Sequence, residues 1–166
     1  DIAQIIQYLC SKDYEKYDPD YHRISLTPSH YGYLKISEGC DNGCSFCSIP
    51  LMRGLQKSQP IEWNVSEAKR MVMNGVKEIL VIAQDSTSYG WDLYPKKSLS
   101  DLLIKLEQIS DLEWIRLHYA HPSHLHQDII ECFKNLDKLI PYIDMPIQHA
   151  SNKMLKNMRR GLKIDR

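Results

Sequence analysis

A repeating alternation of strand-like and helix-like segments constrains the fold more than any other feature of this chain. Tyr31 to Ile36 reads as a strand, after which Val65, Ala68, Met71 and Val72 mark one face of a helix. Asn64 or Ser66 is the expected N-cap of that helix, and Asn74-Gly75 its stop. Glu78 to Ala83 is a near-continuous apolar run, the pattern of a buried strand in a parallel sheet. Leu99, Leu102, Leu103, Leu106 and Ile109 give a second helix after Ser98. Trp114 to Tyr119 is the next strand, and Leu125, Ile129, Cys132, Phe133 and Leu136 the next helix. Tyr142 to Ile147 is expected as a fourth strand, with Ser151 capping a helix that runs through Leu155 and Met158 to Gly161.

Such alternation predicts an α/β fold with a parallel sheet, because each helix is a crossover that returns the chain to the same end of the sheet. An open doubly wound sheet and part of a β/α barrel both satisfy the pattern. In either, ligands gather at the carboxyl ends of the strands. Functional residues are therefore expected just after Ile36, Ala83, Tyr119 and Ile147.

Composition narrows the class. The chain has 166 residues, 43% hydrophobic and 25% charged, which is one domain's worth of ordered sequence. No apolar run approaches the ~18–20 residues of a membrane span, and the start Asp1-Ile2-Ala3-Gln4 lacks a signal-peptide pattern. A cytoplasmic protein without a membrane partner is expected. The 21 basic residues balance the 21 acidic ones, so no overall attraction for nucleic acid exists. Ile2, Ile5, Ile6 and Leu9 suggest a short amphipathic helix, and Lys12 to His22 a polar connector. Residues 1–22 thus read as the end of a preceding domain and a linker, with the body of the fold from 23 to 166.

Directly after the first strand lies Gly39-Cys40-Asp41-Asn42-Gly43-Cys44-Ser45-Phe46-Cys47-Ser48-Ile49-Pro50, with three of the chain's five cysteines inside eight residues. A helix would place all three thiols on one face as buried apolar groups. Gly39, Asn42, Gly43 and Pro50 are turn formers that oppose it. Structural zinc takes four ligands, usually as two separated pairs, and no second pair stands at zinc spacing. A disulfide suits neither an odd number of thiols nor an intracellular chain. A distant His could still complete a zinc site, but an iron–sulfur cluster at the end of a β/α strand is the favoured reading. Three thiolates on a 4Fe–4S cube leave one iron open to coordinate something else. Phe46, beside the last thiol, is placed to shield such a cluster from water.

The pattern Cys40-x-x-x-Cys44-x-Phe46-Cys47 resembles the signature of the radical S-adenosylmethionine enzymes. That resemblance implies a partial (β/α)6 TIM-type barrel with Cys40, Cys44 and Cys47 as cluster ligands. It also implies S-adenosylmethionine chelated by the open iron and cleaved reductively to methionine and a 5′-deoxyadenosyl radical, with the protein excluding quenchers. Tyr33-Leu34-Lys35-Ile36-Ser37-Glu38-Gly39-Cys40, Ile49-Pro50 and Arg53-Gly54 resemble the methylthiotransferase branch. Ala83-Gln84-Asp85-Ser86-Thr87-Ser88-Tyr89-Gly90 is similar to the group that modifies an aspartate β-carbon in the twelfth protein of the small ribosomal subunit. A tRNA adenosine methylthiotransferase is the alternative, and a zinc-binding interaction module the alternative from another class. Tyr142 to His149 and Met158-Arg159-Arg160-Gly161 fit both methylthiotransferase groups. The chain departs from the family at Gln59, commonly Arg.

By the same resemblance, residues 23–166 form the amino-terminal part of the radical core. A domain carrying a second 4Fe–4S cluster and a carboxyl-terminal, RNA-binding-type β-barrel are expected only in the full-length enzyme. An electron donor such as flavodoxin is the expected redox partner. Gln84, Asp85 and Gln148 are expected around the cofactor with Phe46. Arg116, a charge inside a strand, is expected to meet the cofactor carboxylate, or else an acid such as Asp144. His118, His121, His124 and His126 read as solvated loop histidines, and Cys10 and Cys132 as small buried hydrophobes. The run Lys153, Lys156, Arg159, Arg160, Lys163 reads as a solvated helix face, with weak ribosomal RNA contact as the sharper reading.

Overall fold

Three parallel strands with helices packed on one face make up the fold. The computed structural model describes residues 26–95 and 98–161. The Ile2 to Leu9 segment, the 12–22 connector, Cys10 and Lys163 lie outside them. The elements run β1 (Tyr31–Lys35), β2 (Ser37–Glu38), α1 (Ile49–Arg53), β3 (Lys57–Ser58), α2 (Ile61–Met73), β4 (Glu78–Ile82), α3 (Leu99–Glu107), β5 (Trp114–Leu117), α4 (Gln127–Asn135) and α5 (Asn152–Asn157). Single 3-10 turns sit at Ser86–Ser88 and Pro122–His124.

The main sheet has the order β1-β4-β5, all parallel, with Tyr31 beside Glu78 and Glu78 beside Trp114. Each new strand adds to the same edge. Among the described strands this sequential order has no reversal, and with the helices all on one face it is the arrangement of a barrel wall. Alternation along the strands explains why one face is covered. Leu34, Ile79, Val81, Ile115 and Leu117 are buried against Ala68 of α2, Leu102, Leu103 and Leu106 of α3 and Ile129 and Cys132 of α4. Leu80, Ile82 and Arg116 point the other way and are half-buried, and Tyr33 and Trp114 are exposed. Each fully buried Leu or Ile contributes ~1.5–3 kcal/mol, so the helix-side face dominates the stability.

Two sequence expectations are corrected here. Helix α2 starts at Ile61, after Pro60, so Asn64 and Ser66 lie inside it. Pro60, lacking an N–H to leave unpaired, opens the helix, and Asn64 Nδ2 donates to Gln59 O at 3.1 Å. Tyr142 to Ile147 is not a strand. Pairing with β5 comes earlier, where Leu139 bridges Ile115 in parallel and Ile140 N donates to Ile115 O at 2.9 Å. Pro141 and Pro146 flank the following segment and cannot donate to a ladder. A backbone link to the chain after β5 is Ala120 N to Asp144 O, 2.8 Å.

The cysteine loop leaves the sheet and returns through a clasp. β2 and β3 pair antiparallel, Ser37 opposite Ser58 and Glu38 opposite Lys57. Everything between, residues 39–56, is one excursion whose ends are tied together.

Candidate functional site

Gly39 opens the cysteine loop with φ +79°, and its α-carbon faces the carbonyls of Gly54 and Leu55. Only glycine combines that conformation with that closeness. Cys40 N donates to Gly54 O at 3.2 Å and Gln56 N to Asp41 Oδ1 at 2.8 Å, so both limbs of the loop are crosslinked. Beyond Cys40 the backbone turns without forming a helix until Ile49. The three thiols are thereby turned toward one cavity instead of one helix face.

That cavity, about 610 Å³ including its open mouth, lies past the carboxyl ends of the parallel strands. It is lined by Cys40, Cys44, Phe46 and Cys47, by Gln84 after β4, by Tyr119 and His121 after β5, and by Gln148 and Arg160. Four of the described non-glycine residues have positive φ, and three border this place: Tyr119 (59°), Gln148 (69°) and Arg159 (53°), the last preceding Arg160. Strained backbone concentrated at one cavity marks geometry held by the surrounding structure for a purpose other than stability.

Cys40, Cys44 and Cys47 are free thiols, the first two buried and the third exposed. Burial pushes the Cys40 thiol up, partly offset by the N–H donors of Asn42. Asn42 N and Nδ2 lie 3.4 and 3.3 Å from Cys40 Sγ. Among the described residues, the trio whose ligand atoms fall within 4.8 Å of one another is Asp85, His121 and His124, not the cysteines. Three free thiols lining one cavity, one of them receiving N–H donors from Asn42, are a donor set that fits an iron–sulfur cluster.

Asp85 is 2% exposed, and its carboxylate is saturated. Oδ1 accepts from Thr87 N and Oγ1 at 3.1 and 2.6 Å, and Oδ2 from Asn42 Nδ2 and His124 Nδ1 at 2.8 and 2.7 Å. Burial works to raise its pKa, but the bonds from His124, Thr87 and Asn42 outweigh it and hold the carboxyl below its usual range. With about four lone-pair sites filled, Asp85 has none left for a metal. It orients Asn42 against Cys40 and does not itself line the cavity.

Gln84 does line it. Its Nε2 donates to Glu38 Oε1 at 3.1 Å, while its Oε1 is buried without a partner. Phe46 and Gln148 also line the cavity. Arg116 is not brought there: its Nε donates to Glu78 Oε1 at 2.7 Å and its guanidinium lies 5.1 Å from the Tyr142 ring centroid. The ion pair is thus with Glu78 across the sheet, not with Asp144, which instead lies 3.4 Å from His118 Nδ1.

The histidines are not solvated as the sequence suggested. His121 is buried, donates its N–H to Thr87 Oγ1 at 2.9 Å, accepts from Ser123 N at Nδ1 (3.2 Å) and stacks on His124 with 4.6 Å between centroids. Burial, then the Arg160 charge, pushes its pKa down to about 4. Cys132 is buried in the core as expected.

Arg160 was missed. The sequence placed it on a solvated basic face, yet it is 7% exposed, with Nη2 donating to Pro146 O at 2.7 Å and Nη1 lying 3.6 Å from Cys44 Sγ. Helix α5 ends at Asn157, so the basic run crosses a helix end and Arg160, beyond it, turns inward. Lys153, Lys156 and Arg159 remain exposed.

Comparison with known proteins bears on this geometry. The profile of the radical SAM superfamily matches residues 34–166. The chain is 55% identical over 139 residues to the ribosomal protein uS12 methylthiotransferase RimO of Flavobacterium johnsoniae, covering 84% of this chain and 32% of that protein. It is 47% identical over 158 residues to the protein of the same name from Aquifex aeolicus, covering 95% and 36%. The chain thus spans about a third of the length of these curated relatives. Among solved structures it resembles the radical S-adenosylmethionine methyltransferase TsrM of Kitasatospora setae, solved with cobalamin and a 4Fe–4S cluster bound. The TM-score is 0.63 at 14% identity, over 84% of this chain and 28% of that one. At that identity the likeness concerns the fold. No helix among the described residues is long and apolar enough to cross a membrane.

Proposed function

This chain belongs to the radical SAM superfamily, and from that premise we propose that it is the cluster-binding core of a methylthiotransferase acting on small-subunit ribosomal protein uS12. The observation that carries the reading is three free thiols from one clasped loop facing a single cavity at the carboxyl end of a parallel barrel wall. Cys40, Cys44 and Cys47 hold a 4Fe–4S cluster, and S-adenosylmethionine binds in the cavity beside it. Together these supply the one-electron cleavage chemistry that starts a radical reaction.

The chain's own residues bind, orient and shield. Gln84 offers an unpaired carbonyl oxygen, suited to an ammonium or hydroxyl donor of the bound cofactor. Phe46, Tyr119 and Gln148 narrow the mouth and keep water from the reacting centre. Asp85 fixes Asn42 behind Cys40. Cys47 is exposed, and α1 beside it buries none of its side chains. That exposed edge is the entry we assign to an electron from a small redox protein such as flavodoxin.

Similarity to proteins named as uS12 methylthiotransferases favours a ribosomal protein aspartate over tRNA as substrate, and a cytoplasmic site of action. The exposed Lys153, Lys156 and Arg159 supply a weak contact to ribosomal RNA in the same reading. Anaerobic reconstitution tests the core of the proposal. We expect about four iron and four sulfide per site, and loss of nearly all of it when Cys40, Cys44 or Cys47 is changed to alanine. Assay of the whole protein on uS12 and on tRNA tests the substrate, and methylthio-adenosine as the product overturns the assignment.

A further inference from the structure

We infer that Arg160 is a positioning residue for the cluster, a buried cation that acts through the Cys44 sulfur to raise the cluster's reduction potential. The inference rests on the cluster reading above.

Arg160 is built into place. Its N–H donates to Leu155 O at 3.0 Å, its carbonyl accepts from Ser123 Oγ at 3.3 Å, and Nη2 donates to Pro146 O at 2.7 Å. What remains of the guanidinium is directed at the cavity. Nη1 is 3.6 Å from Cys44 Sγ, and Nε is buried with no partner. No carboxylate among the described residues pairs with it, although it is 7% exposed. A guanidinium does not lose its proton in a protein, and an uncompensated buried charge is costly. A neutral thiol is only a weak acceptor. A thiolate-held cluster is the one partner that balances this charge, through a charge-assisted hydrogen bond.

The consequence is redox. Taking up an electron adds negative charge to the cluster and its thiolates, and a cation beside one of them stabilises the reduced form more than the oxidised one. Cys40 receives neutral N–H donors from Asn42 instead, and Cys47 receives no hydrogen bond from a described residue. Arg160 is therefore the only full positive charge in hydrogen-bond range of a ligand sulfur among the described residues.

The test uses the anaerobically reconstituted holoprotein. An electrochemical titration is followed by the electron paramagnetic resonance of the reduced centre that S-adenosylmethionine perturbs. With Arg160→Gln we expect unchanged iron per chain but about a tenfold lower ratio of reduced to oxidised cluster at a fixed potential, which is about 59 mV for one electron. Arg160→Lys, keeping the charge, should recover part of that shift. A fully loaded Arg160→Gln protein with an unmoved potential overturns the inference. If Arg160→Gln does not load, the potential is read on Arg160→Lys, expected below that of the unaltered protein. Failure of both variants to load, with secondary structure intact by circular dichroism, also overturns it by making Arg160 an assembly residue. An unaltered protein that itself holds no iron sinks the cluster reading, a failure recognisable before any variant is made.

Discussion

Two glycines of the cysteine loop, four positions apart, should respond oppositely to the same added methyl group. Gly39 adopts φ +79°, and a Cβ there would overlap the Leu55 carbonyl oxygen and sit 2.7 Å from that of Gly54. The left-handed conformation costs an L-residue about 1–2 kcal/mol. Both obstructing atoms are backbone, so no rotamer change relieves them, and overpacking of this kind adds about 1–3 kcal/mol. The sum for Gly39→Ala is a destabilisation of about 2–5 kcal/mol. The limb that positions Cys40 must also shift, so iron loading falls. Gly43 has no positive φ and nothing within 4 Å of a built Cβ. There Gly43→Ala restricts the unfolded chain and should be neutral to about 1 kcal/mol stabilising. Urea titration gives the free energies, and iron analysis of the reconstituted variants gives the loading. If Gly39→Ala unfolds within about 0.5 kcal/mol of the parent, or Gly43→Ala is the more harmful, the account of the loop is wrong.

Three further outcomes test the packing and electrostatics. Ile79→Ala, at a fully buried position between sheet and helices, should cost about 2–5 kcal/mol in urea titration while the folded fraction still binds its full complement of iron. Asp85→Ala removes the acceptor of four hydrogen bonds; we expect a loss of roughly 3 kcal/mol and lower cluster occupancy, whereas a variant with parental occupancy would show that Asn42 needs no anchor. His121, held near 4 against an ordinary 6.5, takes up its proton more readily in the unfolded chain. Between those values the unfolded state binds more protons, so stability should fall as pH drops from 6.5 toward 4 and stay level with respect to this group above 6.5. Urea midpoints across the window should slope less for His121→Gln, and an equal slope in both proteins refutes the assignment.

The helix-side core was legible because periodicity and burial coincide there: Leu102, Leu103 and Leu106 were expected on one face and are buried on it. That Cys40, Cys44 and Cys47 share a loop and not a helix face was also legible, since the turn formers around them oppose a helix, and the three line one cavity. The Tyr142 to Ile147 segment misled because apolar residues near prolines imitate a strand, although Tyr142, Ile143 and Ile147 are exposed. Arg160 and His121 were illegible for a different reason. Their burial depends on contacts with Cys44 and Thr87, far along the chain, and polar residues carry no local signal of such partners. Asp85 was rightly placed after β4, but only its hydrogen bonds distinguish a support for Asn42 from a group facing the cavity.

The clamp on the cysteine loop has a consequence for biosynthesis. Ser45 Oγ reaches Asn157 O and Cys44 Sγ meets Arg160, partners 112 and 116 positions later in the chain. At a translation speed of about 5–20 residues per second, the thiols emerge from the ribosome roughly 6–23 s before those partners do. The nascent loop therefore spends that interval uncovered, open to oxygen and adventitious metal. Iron insertion belongs after release of the α5 segment, and anaerobic expression should matter most at this stage of the protein's life.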